Sequence, residues 1–285
     1  MYSRILQRFC SRQKKERAQS GQNARKLRRI GMSVSIKSSS EIKRMREAGR
    51  LLEQVHDEVA KLIRPGISTW EIDKTGEELI RSRGCIPNFL NYNGFPASFC
   101  ISINDEVVHG IPSRERKLKD GDIVSLDAGL IYKHYHSDAA RTYGVGIISP
   151  EARKLMDVTR ESFFEGLKYA KAGKHLFEIS GAIGAYAESF GYGVVRDLVG
   201  HGIGTKLHEE PQIPNFKQKK RGMKLYPGMT LAIEPMINQG RADVVWLDDN
   251  WTVVTDDGSL SSHYENTILI TDGEPEILTL TKSFE

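Results

Sequence analysis

The chain has 285 residues, 39% hydrophobic and 27% charged, the balance of a soluble globular protein with room for one large domain or two. No apolar run approaches the roughly 20 residues of a membrane-spanning helix. Three cysteines (Cys10, Cys85, Cys100) are too sparse for a disulfide framework and fit a reducing, cytoplasmic compartment. The net charge of +4 is unevenly spread: residues 1–31 hold ten Lys/Arg and one acid, leaving a body of −5.

Residues 1–36 read as a basic, disordered arm and 37–285 as a single domain. Three readings of the arm stay open: a phosphate-neutralising segment for RNA or ribosome association, an organellar transit peptide, or a stretch upstream of the true start at Met32, the favoured reading. Four helices are expected beyond it. The first covers SSSEIKRMREAGRLLEQVHDEVAKLIRPG, with apolar residues near helical spacing at Ile42, Met45, Leu52, Val55, Val59 and Leu62 and a stop at Pro65-Gly66. The second starts at Ser68 with Glu71 three residues on, a capping box, and stops near Gly84. Ser149-Pro150 opens a third that runs to about Gly173, and a fourth covers 176–190 before Gly191.

Between the second and third helices, DIVSLDAGLIYKHYHSDAARTYGVG reads as a hairpin. A turn around Tyr132-Lys133 places Asp127 opposite Asp138. Two carboxylates that close on one face are unfavourable without a cation between them.

The halves repeat. A shift of 107 residues lays Gly66 on Gly173, Trp70 on Phe177, Glu71 on Glu178, Gly84 on Gly191, and LKDGDIVSLD on LYPGMTLAIE, so that Asp127 falls on Glu234. SSHYENTILIT then supplies Glu265 as the counterpart of Asp138. Two helix–helix–strand units packed about a pseudo-two-fold axis would bring four carboxylates together. GHGIGTKLHEEP offers His201 and His208 as nitrogen ligands, with glycines that allow close backbone approach. Four carboxylates and an imidazole suit two divalent cations (Mn, Fe, Co or catalytic Zn). A water shared by such ions is deprotonated near neutral pH, and a neighbouring glutamate can carry its proton to a leaving amine. Amide hydrolysis is the expected output. Taken singly the residues are weak signals: His134 and His136 read as exposed hairpin residues, Cys85 as a buried thiol, and Cys100 as no nucleophile.

Together, GFPASFCISINDEVVHGIPS, LDAGLIYKHYHSDAART, GHGIGTKLHEEP, AIEPMI and SSHYENTILIT resemble methionine aminopeptidase of type I, in order and spacing, over about residues 37–282. The resemblance implies an α+β pita-bread fold of two pseudo-symmetric halves. It implies removal of the initiator methionine from nascent polypeptides with a small, uncharged second residue. It assigns Asp127, Asp138, His201, Glu234 and Glu265 to two divalent metal ions, with Glu234 also the proton shuttle. His208 would bind the scissile carbonyl and His109 the substrate near the amide; Tyr92, Phe95, Cys100, Leu207 and Trp251 would form the methionine pocket. Asn266, His263, Val108, Leu207 and Phe95 depart from the bacterial pattern. Two competitors are a proline-directed aminopeptidase and a non-catalytic relative that binds RNA or the ribosome. No DNA or membrane partner is expected.

Overall fold

A computed structural model describes residues 34–280; the basic segment up to residue 33 lies outside them. Helices α1 (Ser39–Ala60) and α2 (Thr69–Ser82) belong to the first half, α3 (Pro150–Leu167) and α4 (Leu176–Ser189) to the second. Their starts follow local chemistry. Ser38 and Ser68 each form a capping box with a glutamate three residues on, and Ser149 accepts from the Ala152 amide ahead of Pro150. The third helix ends at Leu167, short of the expected Gly173, and the chain crosses 168–173 as turns.

In the first half, α1 and α2 cover a sheet in which Ile123–Tyr132 lies between Ile86–Pro87 and Phe99–Ile103 and also pairs with Tyr135–Gly144. Leu52, Val55, Val59, Ile72 and Ile80 close on Phe99, Ile101, Val124, Leu126 and Leu130 in one apolar core. In the second half, Glu276–Ile277, Asn266–Leu269, Thr230–Ile233, Gly200–Gly202 and Glu209–Ile213 form a five-stranded sheet in that order. Phe163, Leu176, Ile179 and Ile183 pack on Leu225, Leu231, Ile233 and Ile268.

The 107-residue repeat is structural. Gly66 and Gly173 have φ of 90° and 92°, Gly84 and Gly191 70° and 81°, and Gly121 and Gly228 92° and 88°. These are left-handed conformations that glycine adopts without cost. The bridge Ser68–Lys117 recurs as His175–Lys224. Gly66 N–H donates to Leu118 O at 2.7 Å, and Gly173 N–H to Leu225 O at 3.0 Å.

The hairpin register differs from the expected one. The turn is Lys133-His134, both with positive φ (47° and 70°), and Tyr132 pairs with Tyr135. Two left-handed residues make the primed turn that matches strand twist, here without the usual Asn or Gly. Asp127 therefore opposes Ala140 and Asp138 opposes Gly129. The aspartates stay on one face but stand diagonally. The second surprise is the SSHYENTILIT segment, which is two strands rather than one. Ser261–His263 pairs with Met236–Asn238, and Asn266–Leu269 with Thr230–Ile233. Residues 230–238 and 261–269 change sheet at the same level, leaving Glu234 and Glu265 at the breaks.

Candidate active site

Each acidic side chain is placed by backbone geometry. Asp127 lies mid-strand opposite Cys100. Asp138 is clamped across the seam between the halves: its N–H donates to Thr267 Oγ1 at 3.0 Å, and that hydroxyl donates to Asp138 O at 2.9 Å. Two residues along the same seam, Glu265 N–H donates to Ala140 O at 2.9 Å. Beneath it Arg141, wholly buried, donates to the carbonyls of Ala140, Glu265 and Thr279 and to Asn266 Oδ1. Asn266, one of the departures from the family pattern, is thus an acceptor in the joint between halves.

His201 sits between Gly200 and Gly202. A Cβ at Gly200 would lie 2.5 Å from Ala232 O and one at Gly202 would lie 2.2 Å from Glu210 O, so only glycine lets these strands close around the histidine. His201 Nδ1 lies 2.9 Å from Gly202 O, which places the proton there and leaves Nε2 as a lone pair. That Nε2 lies 3.6 Å from Glu234 Oε1 and 3.9 Å from Asp138 Oδ2. One ligating atom each of Asp138, His201 and Glu265 fall within 4.8 Å of one another.

Among the described residues no group completes this cluster. Asp127 Oδ1, Asp138 Oδ1, Glu265 Oε1 and His263 Nε2 are buried without a hydrogen-bond partner, a state that native interiors avoid. Burial pushes Asp127 up to about 8. Burial first, then the charge of neighbouring carboxylates, holds Asp138, Glu234 and Glu265 well above the ordinary carboxylate range. His201 is depressed to about 4 by burial and then by His208, so it is neutral and able to ligate. Four acids that cannot all ionise beside a neutral imidazole are the donor set of a divalent-cation site, and the residues fit such ions.

All twelve site residues named from the sequence line one cavity of about 300 Å³. The acids and His201 occupy one part of its wall. Tyr92, Phe95, Cys100, Leu207 and Trp251 supply aromatic and apolar surface. Trp251 is brought in by Val253–Thr255, which pairs with Glu106–Val108. Its ring stands edge-on to Phe95 at 5.2 Å and to His109 at 6.4 Å. His109 has φ of 60° and is depressed to about 4 by burial, then by His208. Cys100 is buried and its thiol is pushed well up by burial and the nearby carboxylates, so it stays protonated and inert.

Sequence reading missed several members of the wall: Phe89, Asn93, Leu198, Val199 and Met236. Met236 was accessible from the two-residue period after Glu234; the others had no local signal. It also missed that Tyr92 Oη lies 2.8 Å from His208 Nδ1. His136, expected to be exposed, is half-buried, because the loop after Gly202 folds over the hairpin and Gly204 O accepts from His136 N–H at 2.8 Å.

A family model, metallopeptidase family M24, matches residues 43–272. A methionine aminopeptidase from Clostridium acetobutylicum is 52% identical over 247 residues, 87% of this chain and 99% of that protein. A crystal structure of methionine aminopeptidase from Rickettsia prowazekii superposes with a TM-score of 0.85 at 39% identity, covering 87% of this chain and 100% of that one. An Xaa-Pro dipeptidase from Bacillus anthracis shares the architecture at a TM-score of 0.70 and 27% identity, but the match covers 86% of this chain and only 62% of the dipeptidase. Identity above one half, sustained along nearly the whole of a relative, settles the lineage: the chain belongs to metallopeptidase family M24, among its methionine aminopeptidases.

Proposed function

We propose that this protein removes the initiator methionine from nascent polypeptides whose second residue is small and uncharged, acting as a metal-dependent hydrolase. The observation that carries the reading is that one cavity holds both an aromatic and apolar wall and a carboxylate–imidazole cluster with buried, unpartnered oxygens. A thioether packs well against rings such as Phe95 and Trp251. The proline-directed alternative belongs to the longer dipeptidases, and a non-catalytic relative would have no use for three carboxylates with buried, unpartnered oxygens beside a fourth.

Asp127, Asp138, His201, Glu234 and Glu265 would hold two divalent ions (Co, Mn, Fe or Zn). When bound, such ions acidify water and polarise the scissile carbonyl. The remaining work falls to side chains. Glu234, whose carboxylate lies nearest His201 Nε2, takes the proton of the attacking water and delivers it to the leaving amine. His208 is held neutral by burial. A hydrogen bond from the Tyr92 hydroxyl to its Nδ1 leaves the proton on Nε2, free to donate to the carbonyl oxygen as negative charge develops. His109 orients the substrate near the amide, and the aromatic wall with Cys100 and Leu207 excludes water around the methionine side chain.

The domain 37–285 would act as one catalytic unit in the cytoplasm. Among the described residues no helix is long and apolar enough to cross a membrane. The test is turnover of Met-Ala-Ser against a Met-Lys peptide, before and after chelation. Rapid cleavage of the first, near-inertness of the second and loss of both with chelator are expected. Equal rates would reject the small-residue rule, and chelator-resistant cleavage would reject the metal.

A further inference from the structure

Next to His208 in the chain lies a second pair of charges that the reaction does not use. Lys37 Nζ donates to Glu209 Oε2 at 2.6 Å, and both side chains are almost entirely withdrawn from solvent, at 3% and 11% exposure. The other carboxylate oxygen of Glu209 accepts from the backbone N–H of Thr205 at 2.8 Å and of Lys206 at 3.3 Å. One carboxylate therefore holds both the N-terminal segment and the loop that delivers His208. The approach is close: a Cβ at Gly204 would lie 2.5 Å from Lys37 Cε and 2.6 Å from Glu209 Oε1, so a larger residue there would push the pair out of this position. Lys37 is itself fixed, its N–H donating to Gly228 O at 2.8 Å, with Ile36 packed on the second-half core.

We propose that the Lys37–Glu209 pair is a positioning device for His208, which ties the orientation of that imidazole to the N-terminal segment. Glu209 begins the strand Glu209–Ile213 and follows His208 directly. His208 is the last residue of the bend 204–208, and Glu209 ties that bend down through the Thr205 and Lys206 amides, so the grip on Glu209 sets where the adjoining imidazole points. A small misplacement of a group acting on the transition state lowers turnover steeply. The inference rests on the aminopeptidase reading of the site, because it needs His208 to act on the scissile carbonyl.

The test is a double-mutant cycle on Mn-loaded full-length enzyme with Met-Ala-Ser. Lys37→Met lowers kcat about tenfold with KM within about twofold, the pattern of an interaction made only in the transition state. In a His208→Ala background Lys37→Met has no further effect, because its target is gone. The same loss in both backgrounds, or no loss in either, overturns the proposal in favour of a merely structural ion pair. Should Lys37→Met fail to fold, Glu209→Gln keeps the loop hydrogen bonds, weakens the ion pair and carries the same cycle. A readout independent of turnover is the His208 side-chain ¹⁵N resonances of the metal-free protein. They shift in Lys37→Met if the pair orients the ring and stay unchanged if it does not. Wild-type protein that fails to cleave the peptide would reject the function while leaving this resonance test standing.

Discussion

Removing the metal should make the stability of this protein fall as pH rises through neutrality. Asp127 is pushed up to about 8 and Asp138, Glu234 and Glu265 lie well above their ordinary values, whereas the unfolded chain releases such protons near pH ~4. A carboxyl that keeps its proton only in the folded state loses folding stability as pH climbs toward its folded value. Buried histidines act oppositely. His56 and His263 are depressed to about 3, and His109 and His201 to about 4; their neutral state gains relative stability up to the unfolded value of about 6.5. At about pH 6.5 the unfolded histidines are still half protonated, so from there to pH 8 each adds back ~0.4 kcal/mol while the carboxyls act against them. Each withheld proton costs ~1.4 kcal/mol per pH unit, so Asp127 by itself removes ~2 kcal/mol over that interval. Taken alone that is a fall in Tm of about 4–8 °C for a domain of this size; the four histidines offset most of it, and the protons held by Asp138, Glu234 and Glu265 set the net fall. Thermal unfolding after exhaustive chelation, at several pH values across that interval, measures it. Saturating Mn should flatten the dependence, since bound cations keep the acids ionised. A chelated protein whose Tm is flat or rising from pH 6.5 to 8 would refute the argument that these acids are neutralised only by a bound ion.

Glu234→Gln should lower kcat by about 10²-fold or more while circular dichroism and cooperative unfolding remain, and unchanged turnover would remove it as proton carrier. Trp251→Ala opens the apolar wall beside Phe95, so KM for Met-Ala-Ser should rise roughly tenfold with kcat little altered, the sign of lost uniform binding; steady-state kinetics separates the two. Arg141→Met removes the guanidinium donor to the buried carbonyl of Thr279 and one of two donors to those of Ala140 and Glu265, costing about 1–3 kcal/mol or more, which urea titration reads as a lower midpoint. Asn266→Leu removes one acceptor of that network and should cost about 1–3 kcal/mol in the same assay.

Helix boundaries were legible because they are written in local chemistry. The Ser68–Glu71 capping box and the left-handed glycines at 84 and 191 act within a few residues of themselves. The repeat was legible because the same glycines recur at one spacing, and it carried the pairing of Asp127 with Glu234. Strand register was not legible, since Lys133 and His134 adopt φ values that their identities do not announce, and a different turn changes which residues oppose. The breaks at Glu234 and Glu265 were hidden for a different reason. A strand that changes partner keeps the composition of a strand, and only the two sheets that take its halves reveal the break. The Tyr92–His208 contact and the burial of His136 join residues from distant parts of the chain, for which one sequence carries no local mark.

The departure from symmetry carries the direction of the site. The carboxylates come in related pairs, Asp127 with Glu234 and Asp138 with Glu265, as a duplicated unit requires. The imidazoles do not: 107 residues before His201 and His208 stand Gly94 and Ile101. The aromatic wall is equally one-sided, for the positions 107 residues after Tyr92 and Phe95 are Val199 and Gly202. A strictly symmetric cleft would present the same face to a peptide in either orientation. On the proposed reading, Tyr92, Phe95 and Cys100 of the first half with Leu207 and Trp251 of the second offer the apolar surface, and His208 the donor for a developing oxyanion. With no symmetric copy of Tyr92, Phe95 or His208, a peptide can place its methionine and its carbonyl in one sense only. On this account, duplication supplies the cluster that activates water, and divergence of two loops, 92–95 and 201–208, determines which end of the substrate is cut.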